Sequence, residues 1–462
     1  MATSEKRDLF ENMPVAKALA TLAVPTVISQ IINLIYSVVD TFYIGRTGNS
    51  YMMASVTLAF TLYMMTVALA NLFGIGGGSL MARLSGKHDE TNARKVCSFS
   101  VYGAMAAAIA YSLFVLPLMN PILYLFGASS NTIGYAKQYV LLVVVLGNVP
   151  TILSMCLAHL MRNAGYSKQA SIGLSGGGIM NIILDPILMF VILPKDMEVF
   201  GAALATLISN FCSFIFLFIC MARVSKKAPV SVDVREIRGI RKSDVKDLFA
   251  VGVPSAVLTG LFDVANIFLN KLMANHGDLQ LAAIGIVMKA ERLPNAINIG
   301  ICQGMLPLVA YNYTSGNKKR MNDTVRTARI FGLAISVVSV VLFSIFTKQI
   351  VGVFMNTGAG DIESAKATLK ISIAFLQVRC IASPFQFLNY HSSFCMQAVG
   401  DGKRTLLHAI VRELVFYIPL MYLLDVIFGQ TGLAIALAVG EAFGAVLALW
   451  LLRRSVKSAE LQ

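Results

Sequence analysis

The sequence has little charge for its length. Charged residues make up 13% of the 462 residues and hydrophobic residues 56%. Soluble globular domains carry about 25% charged residues, so a water-soluble protein with one core is excluded. We infer a membrane protein that crosses the bilayer several times.

The chain also lacks the motifs of metal, redox and nucleotide sites. Its seven cysteines have no C-x-x-C spacing, and His159, His391 and His408 are scattered, so neither a disulfide framework nor a zinc site is expected. The glycine runs at 74–78 and 173–178 lack the Lys-Ser/Thr ending of a phosphate loop. No nucleophile and base form a recognisable set. We therefore predict a protein that is not an enzyme and needs no cofactor.

Long apolar runs are abundant. Twelve are long enough to cross a roughly 30 Å hydrocarbon layer as helices. They lie near residues 19–44, 52–82, 97–119, 136–160, 169–193, 201–222, 249–273, 281–311, 328–347, 369–396, 405–428 and 432–452. The runs are continuous, unlike the alternating strands of a membrane barrel, which predicts an all-α polytopic membrane protein. The first run lacks a small-residue cleavage site, so we expect a retained span rather than a signal peptide.

The net charge of +14 is explained by topology. Lys and Arg are concentrated in the N terminus, the even-numbered loops and the C-terminal tail, and the positive-inside rule assigns these segments to the cytoplasm. We therefore predict that both termini are cytoplasmic. The largest basic block, 223–247, is expected to lie against anionic headgroups rather than to bind nucleic acid.

Six spans precede this block and six follow it. We predict an N-lobe at 1–222, a basic cytoplasmic linker at 223–247 and a C-lobe at 248–462. The halves resemble each other, since each begins with a helix that has a proline in its first turns, Pro25 or Pro254. Because each half has an even number of spans, the repeat is parallel, with a pseudo-two-fold axis along the membrane normal. Such proteins bind substrates in a cavity between or within the halves.

Two carboxylates, Asp40 and Asp185, lie inside apolar runs, where a charge costs at least ~2.5 kcal/mol. At a rise of about 1.5 Å per residue, four polar side chains fall at similar depth in the first half. They are Asp40, Asn181, Asp185 and Thr206. Such an all-oxygen set suits a proton or a small monovalent cation such as Na⁺, which predicts a cation-coupling site. The alternative is that Asp40 snorkels to the surface and Asp185 stabilises a bend before Pro186.

The second half does not repeat the two acids. Aligning the prolines places Leu269 opposite Asp40, and aligning Gly165 with Gly400 places Leu420 opposite Asp185, so asymmetric ion coupling is expected. Other intramembrane charges of this half are predicted to pair around a wet substrate cavity. They are Asp263, Lys289, Glu291, Arg292 and Arg379. Arg412 and Glu413 are expected either to join them or to snorkel at the inner face.

Several segments, taken together and in this order, resemble the multidrug and toxic compound extrusion (MATE) transporters, most closely the bacterial MepA-like and DinF-like branches. They are Pro25 and residues 39–45, 162–165, 181–186, 201–206 and 304–313. The resemblance implies a secondary antiporter that exports amphipathic, mostly cationic compounds in exchange for H⁺ or Na⁺ by alternating access. It implies a cation site at Asp40, Asn181, Asp185 and Thr206. We expect Pro25 to act as a hinge in the first helix.

The expected partners are small amphipathic substrates and the lipid bilayer of a bacterial cytoplasmic membrane, with no nucleic acid, and the chain is expected to be a monomer. A lipid-linked oligosaccharide flippase of the same superfamily is the alternative, because Lys289, Arg292 and Arg379 would suit a lipid phosphate. Another branch of the family places acids in the seventh and tenth spans. Here Asp263 is an approximate match for the first, and the tenth span offers Arg379 instead of an acid.

Overall fold

The computed structural model describes residues 2–354 and 362–460, and it is helical without a β-strand in these ranges. Twelve spans are present in this part of the chain. The first six are Val15–Arg46, Ser50–Gly86, Glu90–Leu125, Ile133–Leu146 with Asn148–Asn163, Ser167–Ile192 and Glu198–Val224. The last six are Lys242–His276, Asp278–Thr314, Lys318–Ile345, Glu363–Val399, 402–428 and Gln430–Glu460. Short helices lie at Ala2–Glu11, Val234–Ile237 and Thr347–Phe354.

Each predicted apolar run overlaps one of these spans, and the all-α polytopic fold class is confirmed. Among the described residues, ten helices are long and apolar enough to cross a membrane, and the fourth span, bent by 50°, makes eleven. The eleventh span is not one of these helices; it carries Arg412 and Glu413 and contains the π-helical turn Val411–Tyr417. It is nevertheless helical from Gly402 to Phe428.

The segment between the halves is shorter than the predicted linker, 223–247. The sixth span continues to Val224, and the seventh begins at Lys242. The intervening segment is held against the third span, where Arg94 donates hydrogen bonds from Nε and Nη2 to Glu236 Oε1 at 3.0 and 2.8 Å. The division into lobes at these positions stays a prediction.

The two halves contact each other near one face of the molecule. Leu9 and Leu452 belong to one hydrophobic cluster, so the beginning and the end of the described chain share this face, which we call the termini face. Here a Cβ added to Gly304 of the eighth span would lie 2.5 Å from Ala23 Cα of the first span. Nearby, Ser79 Oγ donates to the Gln397 carbonyl across the halves at 2.6 Å. The halves are therefore in direct contact at this face.

Within the second half, the seventh and eleventh spans are in close contact at Gly402. Pro254 has no backbone N–H, so the carbonyl of Ala250 lacks its helical donor. A Cβ at position 402 would lie 1.4 Å from this oxygen. A side chain at Gly402 is therefore excluded unless the two helices move apart.

We expect Gly402→Ala to destabilise the protein by ~1–3 kcal/mol, as overpacking usually does. The measurement is the thermal unfolding midpoint of the purified protein in detergent. Gly260→Ala is the control, because a Cβ at Gly260 in the seventh span meets no atom within 4 Å. Equal midpoints for the two variants would contradict the predicted clash.

Candidate functional site

Three of the four residues predicted for the cation site are joined by hydrogen bonds. The fifth span presents Asn181 and Asp185 on one face, one helical turn apart. Asn181 Nδ2 donates to Asp185 Oδ1 at 3.2 Å and to Thr206 Oγ1 of the sixth span at 3.3 Å. All three residues are buried, and Asp185 has no exposed surface. The amide thus connects a carboxylate of one span to a hydroxyl of the next.

Asp40 approaches this group from the neighbouring first span. A Cβ added to Gly178 of the fifth span would lie 3.7 Å from Tyr36. The two spans run in the same direction, so one further turn brings Asp40 on the first and Asn181 on the fifth to similar depth. Asp40 lies within electrostatic range of Asp185, so the two acids share one region.

The structure argues against snorkelling of Asp40. Its Oδ1 atom is buried and has no hydrogen-bond partner among the described residues. A carboxylate that snorkels keeps its oxygens in water or headgroups. Asp40 is therefore directed into the protein, although the side chain as a whole is only partly buried.

Oxygen atoms without donors set the chemistry of the group. Asp40 Oδ1, Asn181 Oδ1 and Asp185 Oδ2 are all buried without a hydrogen-bond partner within the described ranges. A buried acceptor left unpaired costs roughly 1–3 kcal/mol, and more when it is charged. A proton on one carboxylate, or a small cation held by the oxygens, would remove this cost. The donor set fits either ion.

The residues of the site fit a conventional metal centre less well than a site for a proton or a monovalent cation. In the described part of the chain, no three His, Cys, Asp or Glu residues are grouped so that they could bind a metal ion. The site offers two carboxylates with one amide and one hydroxyl, a set that suits a monovalent cation better than zinc.

Sequence reasoning missed a tyrosine that adjoins the site. Tyr139 of the fourth span lies next to Thr206 and within electrostatic range of Asp40 and Asp185. It directly precedes the π-helical turn Val140–Leu146, and such turns frequently occur at functional sites. Hydrophobic periodicity does not reveal a π-helical turn, so no sequence signal placed this ring at the site.

Two more tyrosines lie beside Asp40. Tyr36 of the first span and Tyr63 of the second interact with each other, and Tyr36 is also within range of the Asp40 charge. A signal for Tyr36 existed, since it lies one helical turn before Asp40 on the same span. Together with Tyr139, these rings give the site an aromatic rim.

The charges predicted for the substrate cavity divide into two groups. In the first, Arg379 donates from Nε and Nη2 to the two carboxylate oxygens of Glu291, both at 2.8 Å. These side chains are only 3% and 12% exposed, and the bidentate geometry neutralises both charges. The expected pairing of intramembrane charges is thus observed for Glu291 and Arg379.

The second group contains Asp263, Lys289 and Arg292. Arg292 lies within electrostatic range of both others, and its guanidinium lies 5.9 Å from the ring centroid of Phe60 in the second span. Arg292 therefore faces the first half of the molecule. That all five residues line one substrate cavity stays a prediction.

The counterparts of the two acids lie in packed apolar surroundings. Leu269 is completely buried in a hydrophobic cluster of the second half, and Leu420 packs against the same cluster. An apolar interior at both positions offers no ligand for a cation. The N-lobe group thus has no copy in the second half at these positions.

Of the two alternatives for Arg412 and Glu413, snorkelling at the inner face is wrong. Both residues are only 3% exposed. Arg412 Nη2 donates to Glu441 Oε1 of the twelfth span at 2.6 Å, so a partner inside the protein replaces the headgroups. Glu441 was overlooked, although a lone acid in an apolar run was the signal that identified Asp40.

Pro25 lies inside the first span, which is helical throughout Val15–Arg46. Because proline has no N–H, the carbonyl of Thr21 lacks its helical donor and the helix is weakened at this point. The structure shows one conformation of this helix, and the hinge role of Pro25 stays a prediction.

The sequence of this chain is similar to those of known proteins over most of its length. The family model described as MatE matches residues 25–187 and 254–423. The "Multidrug export protein MepA" of Staphylococcus aureus strain MRSA252 is 31% identical over 450 residues, which are 96% of this chain and 95% of that protein. The MepA protein of Staphylococcus saprophyticus is 31% identical over 458 residues, 98% of each chain.

Solved structures share the fold. The outward-facing conformation of a multidrug resistance MATE family transporter superposes with a TM-score of 0.91 at 21% sequence identity and covers 98% of both chains. At this identity the match establishes the arrangement of the helices alone.

Proposed function

Because the chain belongs to the MATE family of multi-pass membrane transporters, we propose that it exports amphipathic, mostly cationic compounds in exchange for H⁺ or Na⁺. The observation that carries this proposal is the group formed by Asp40, Asn181, Asp185 and Thr206. Its carboxylate and amide oxygens without donors would accept a proton or a small cation. The relatives named multidrug export proteins support the substrate class.

Competition for the same negative charge would couple the inward movement of the ion to the outward movement of the substrate. With both acids ionised, the N-lobe attracts a cationic substrate, and binding of the coupling ion cancels that attraction. Exchange then requires only that ion and substrate favour different conformations. The contact between the halves at the termini face is consistent with a cavity that opens on the opposite side.

We further propose the orientation and surroundings of the protein. Both termini lie in the cytoplasm of a bacterium, as the basic loops of the termini face favour, so the observed conformation opens outward. Pro25 acts as a hinge, Asp263, Lys289 and Arg292 line the cavity, and the transporter works as a monomer.

The flippase alternative is not favoured. Arg379, one of the three cations expected to bind a lipid phosphate, is already paired with both carboxylate oxygens of Glu291. Binding a phosphate there would require breaking a buried bidentate ion pair, which is strongly destabilising.

Transport by purified protein in liposomes tests the proposed function. Ethidium is the substrate, and a Na⁺ gradient and a pH gradient are imposed in separate experiments. We expect one gradient to drive ethidium against its own concentration gradient and the other to have little effect. Empty liposomes and liposomes with Asp185→Asn protein are the controls. Ethidium movement that responds to neither gradient would refute ion-coupled export.

A further inference from the structure

The N-terminal helix, Ala2–Glu11, is too short to span a membrane and is docked on the termini face. Leu9 is 2% exposed and Phe10 is 6% exposed. Both residues lie in the hydrophobic cluster that contains Leu22 of the first span and Met305 of the eighth. The helix thus adds apolar contacts where the two halves meet.

The end of this helix leaves two carbonyl groups without helical donors. The residue four positions after Phe10 is Pro14, which has no N–H. The N–H of Met13, which would normally bond to Leu9, donates to the carbonyl of Asp8 instead. The carbonyls of Leu9 and Phe10 therefore require partners from outside the helix.

The second half supplies these partners. Arg320 of the ninth span donates from Nε to the Phe10 carbonyl at 2.7 Å and from Nη2 to the Leu9 carbonyl at 3.2 Å. Asn312 Nδ2 of the eighth span also donates to the Phe10 carbonyl, at 3.2 Å. A cation at this place also complements the partial negative charge of a helix C terminus.

Tyr311 strengthens the attachment through both its hydroxyl and its ring. Its hydroxyl donates to Glu11 Oε1 at 2.5 Å, and its ring stacks on Phe10 with centroids 4.9 Å apart. On the side of the first half, Arg7 forms an exposed ion pair with Glu90 at 3.7 Å. Among the side chains of this helix that the structure describes, the polar contacts to the second half are thus shorter and more numerous than this one to the first.

We propose that the N-terminal helix is a latch that holds the termini face closed, with Arg320 as the residue that retains it. The inference rests on the proposed alternating access, in which the halves must separate at this face during each cycle. The helix is joined through Pro14 to the first span but is bound by the second half. Opening the termini face therefore requires release of the Leu9 and Phe10 carbonyls from Arg320.

The separation of the halves can be measured without substrate, so the result does not depend on which compounds are transported. Spin labels at Lys168→Cys and Lys403→Cys report it, because these exposed residues lie near the starts of the fifth and eleventh spans. The half-buried native thiols Cys212 and Cys220 are replaced by Ser to restrict labelling.

The spin labels report two populations, one with a short and one with a long distance between positions 168 and 403. We expect Arg320→Ala to raise the ratio of the long-distance to the short-distance population about tenfold or more, because charge-assisted hydrogen bonds are lost. Arg326→Ala removes an exposed guanidinium from the same span and should leave the ratio unchanged. Equal ratios for the Arg320→Ala and Arg326→Ala proteins would overturn the proposal.

A deletion of residues 2–11 tests whether Arg320→Ala acts by releasing the N-terminal helix or by a general structural effect. The deletion should raise the ratio about as much as Arg320→Ala does, and adding Arg320→Ala to it should cause no further change, since the two act on one interaction. A further increase in the combined variant would show that Arg320 acts independently of the helix and would refute the latch. A distance that never lengthens in any variant, together with normal ethidium export, would also refute it and leave the export function intact.

Discussion

Asp185→Asn and Asp40→Asn are each expected to reduce gradient-driven ethidium export by at least about tenfold, the effect of losing one charge-dependent interaction of ~1.5 kcal/mol. Asparagine keeps the shape of aspartate but neither carries a charge nor releases a proton near neutral pH. A site with one permanent amide in place of a carboxylate loses the negative charge that attracts a cation. Export is measured in liposomes containing equal amounts of folded protein.

A matched control separates this effect from a loss of surface charge. Asp278→Asn removes an exposed carboxylate at the start of the eighth span and should leave export unchanged. Thermal unfolding midpoints of the three variants verify that folding is intact. If Asp40→Asn and Asp185→Asn proteins export ethidium at the unmodified rate, the assignment of the cation site is wrong.

Depth along a helix explains why the sequence located this group of residues. The depth of each residue in the membrane follows from its distance along the helix to the end of its span. Apolar runs define the ends of the three spans that carry Asp40, Asn181, Asp185 and Thr206 within a few residues. The structure then joins Asn181 to Asp185 and Thr206, and the π-helical turn Leu188–Ile192 of the fifth span begins only after both Asn181 and Asp185. Where a helix is regular, the rise per residue alone relates the sequence to depth.

Irregular helices explain the omission of Tyr139. The fourth span contains the π-helical turn Val140–Leu146 and bends by 50° before Asn148. A π-helical turn rotates the residues before it relative to those after it. A 3.6-residue period along the whole span therefore cannot predict which side chains of the two parts share one face. Tertiary packing determines this turn.

The sequence also does not predict which charged residues of different spans form pairs. The sequence shows that Arg412 lies in a membrane span, and a headgroup or a buried acid would satisfy it equally well. Its partner Glu441 is 29 positions away in the chain, and only the packing of the eleventh and twelfth spans brings the two together. Pairing between spans requires knowledge of which helices are neighbours and how each is rotated.

The pair formed by Arg412 and Glu441 belongs to a buried polar network. Arg412 donates to the two oxygens of Glu441 at 3.1 and 2.6 Å. Asn389 Nδ2 donates to Glu441 Oε2 at 2.6 Å, and the Asn389 oxygen lies 3.0 Å from His408 Nε2. Since an amide oxygen only accepts, His408 carries a proton on Nε2. Side chains from three spans are fixed relative to one another by these bonds.

Arg412→Ala is expected to destabilise the protein by ~3–5 kcal/mol, the usual cost of removing one partner of a buried ion pair. Glu441 would lose its guanidinium partner, and the neighbouring Glu413, whose Oε1 lies 3.5 Å from Arg412 Nε, would lose the same cation. Two buried acids would then lose the cation with which both form ion pairs. The measurement is the thermal unfolding midpoint in detergent, together with the yield of folded protein.

Two further variants test whether the charge pair causes this loss. Arg453→Ala truncates an exposed arginine of the twelfth span and should change stability by less than about 0.5 kcal/mol. Replacing the pair together, by Arg412→Met with Glu441→Leu, should restore part of the stability, since apolar residues often substitute well for a buried ion pair. Recovery should remain incomplete because Glu413 stays buried without a cation. A midpoint for Arg412→Ala equal to that of Arg453→Ala would show that the pair does not stabilise the second half.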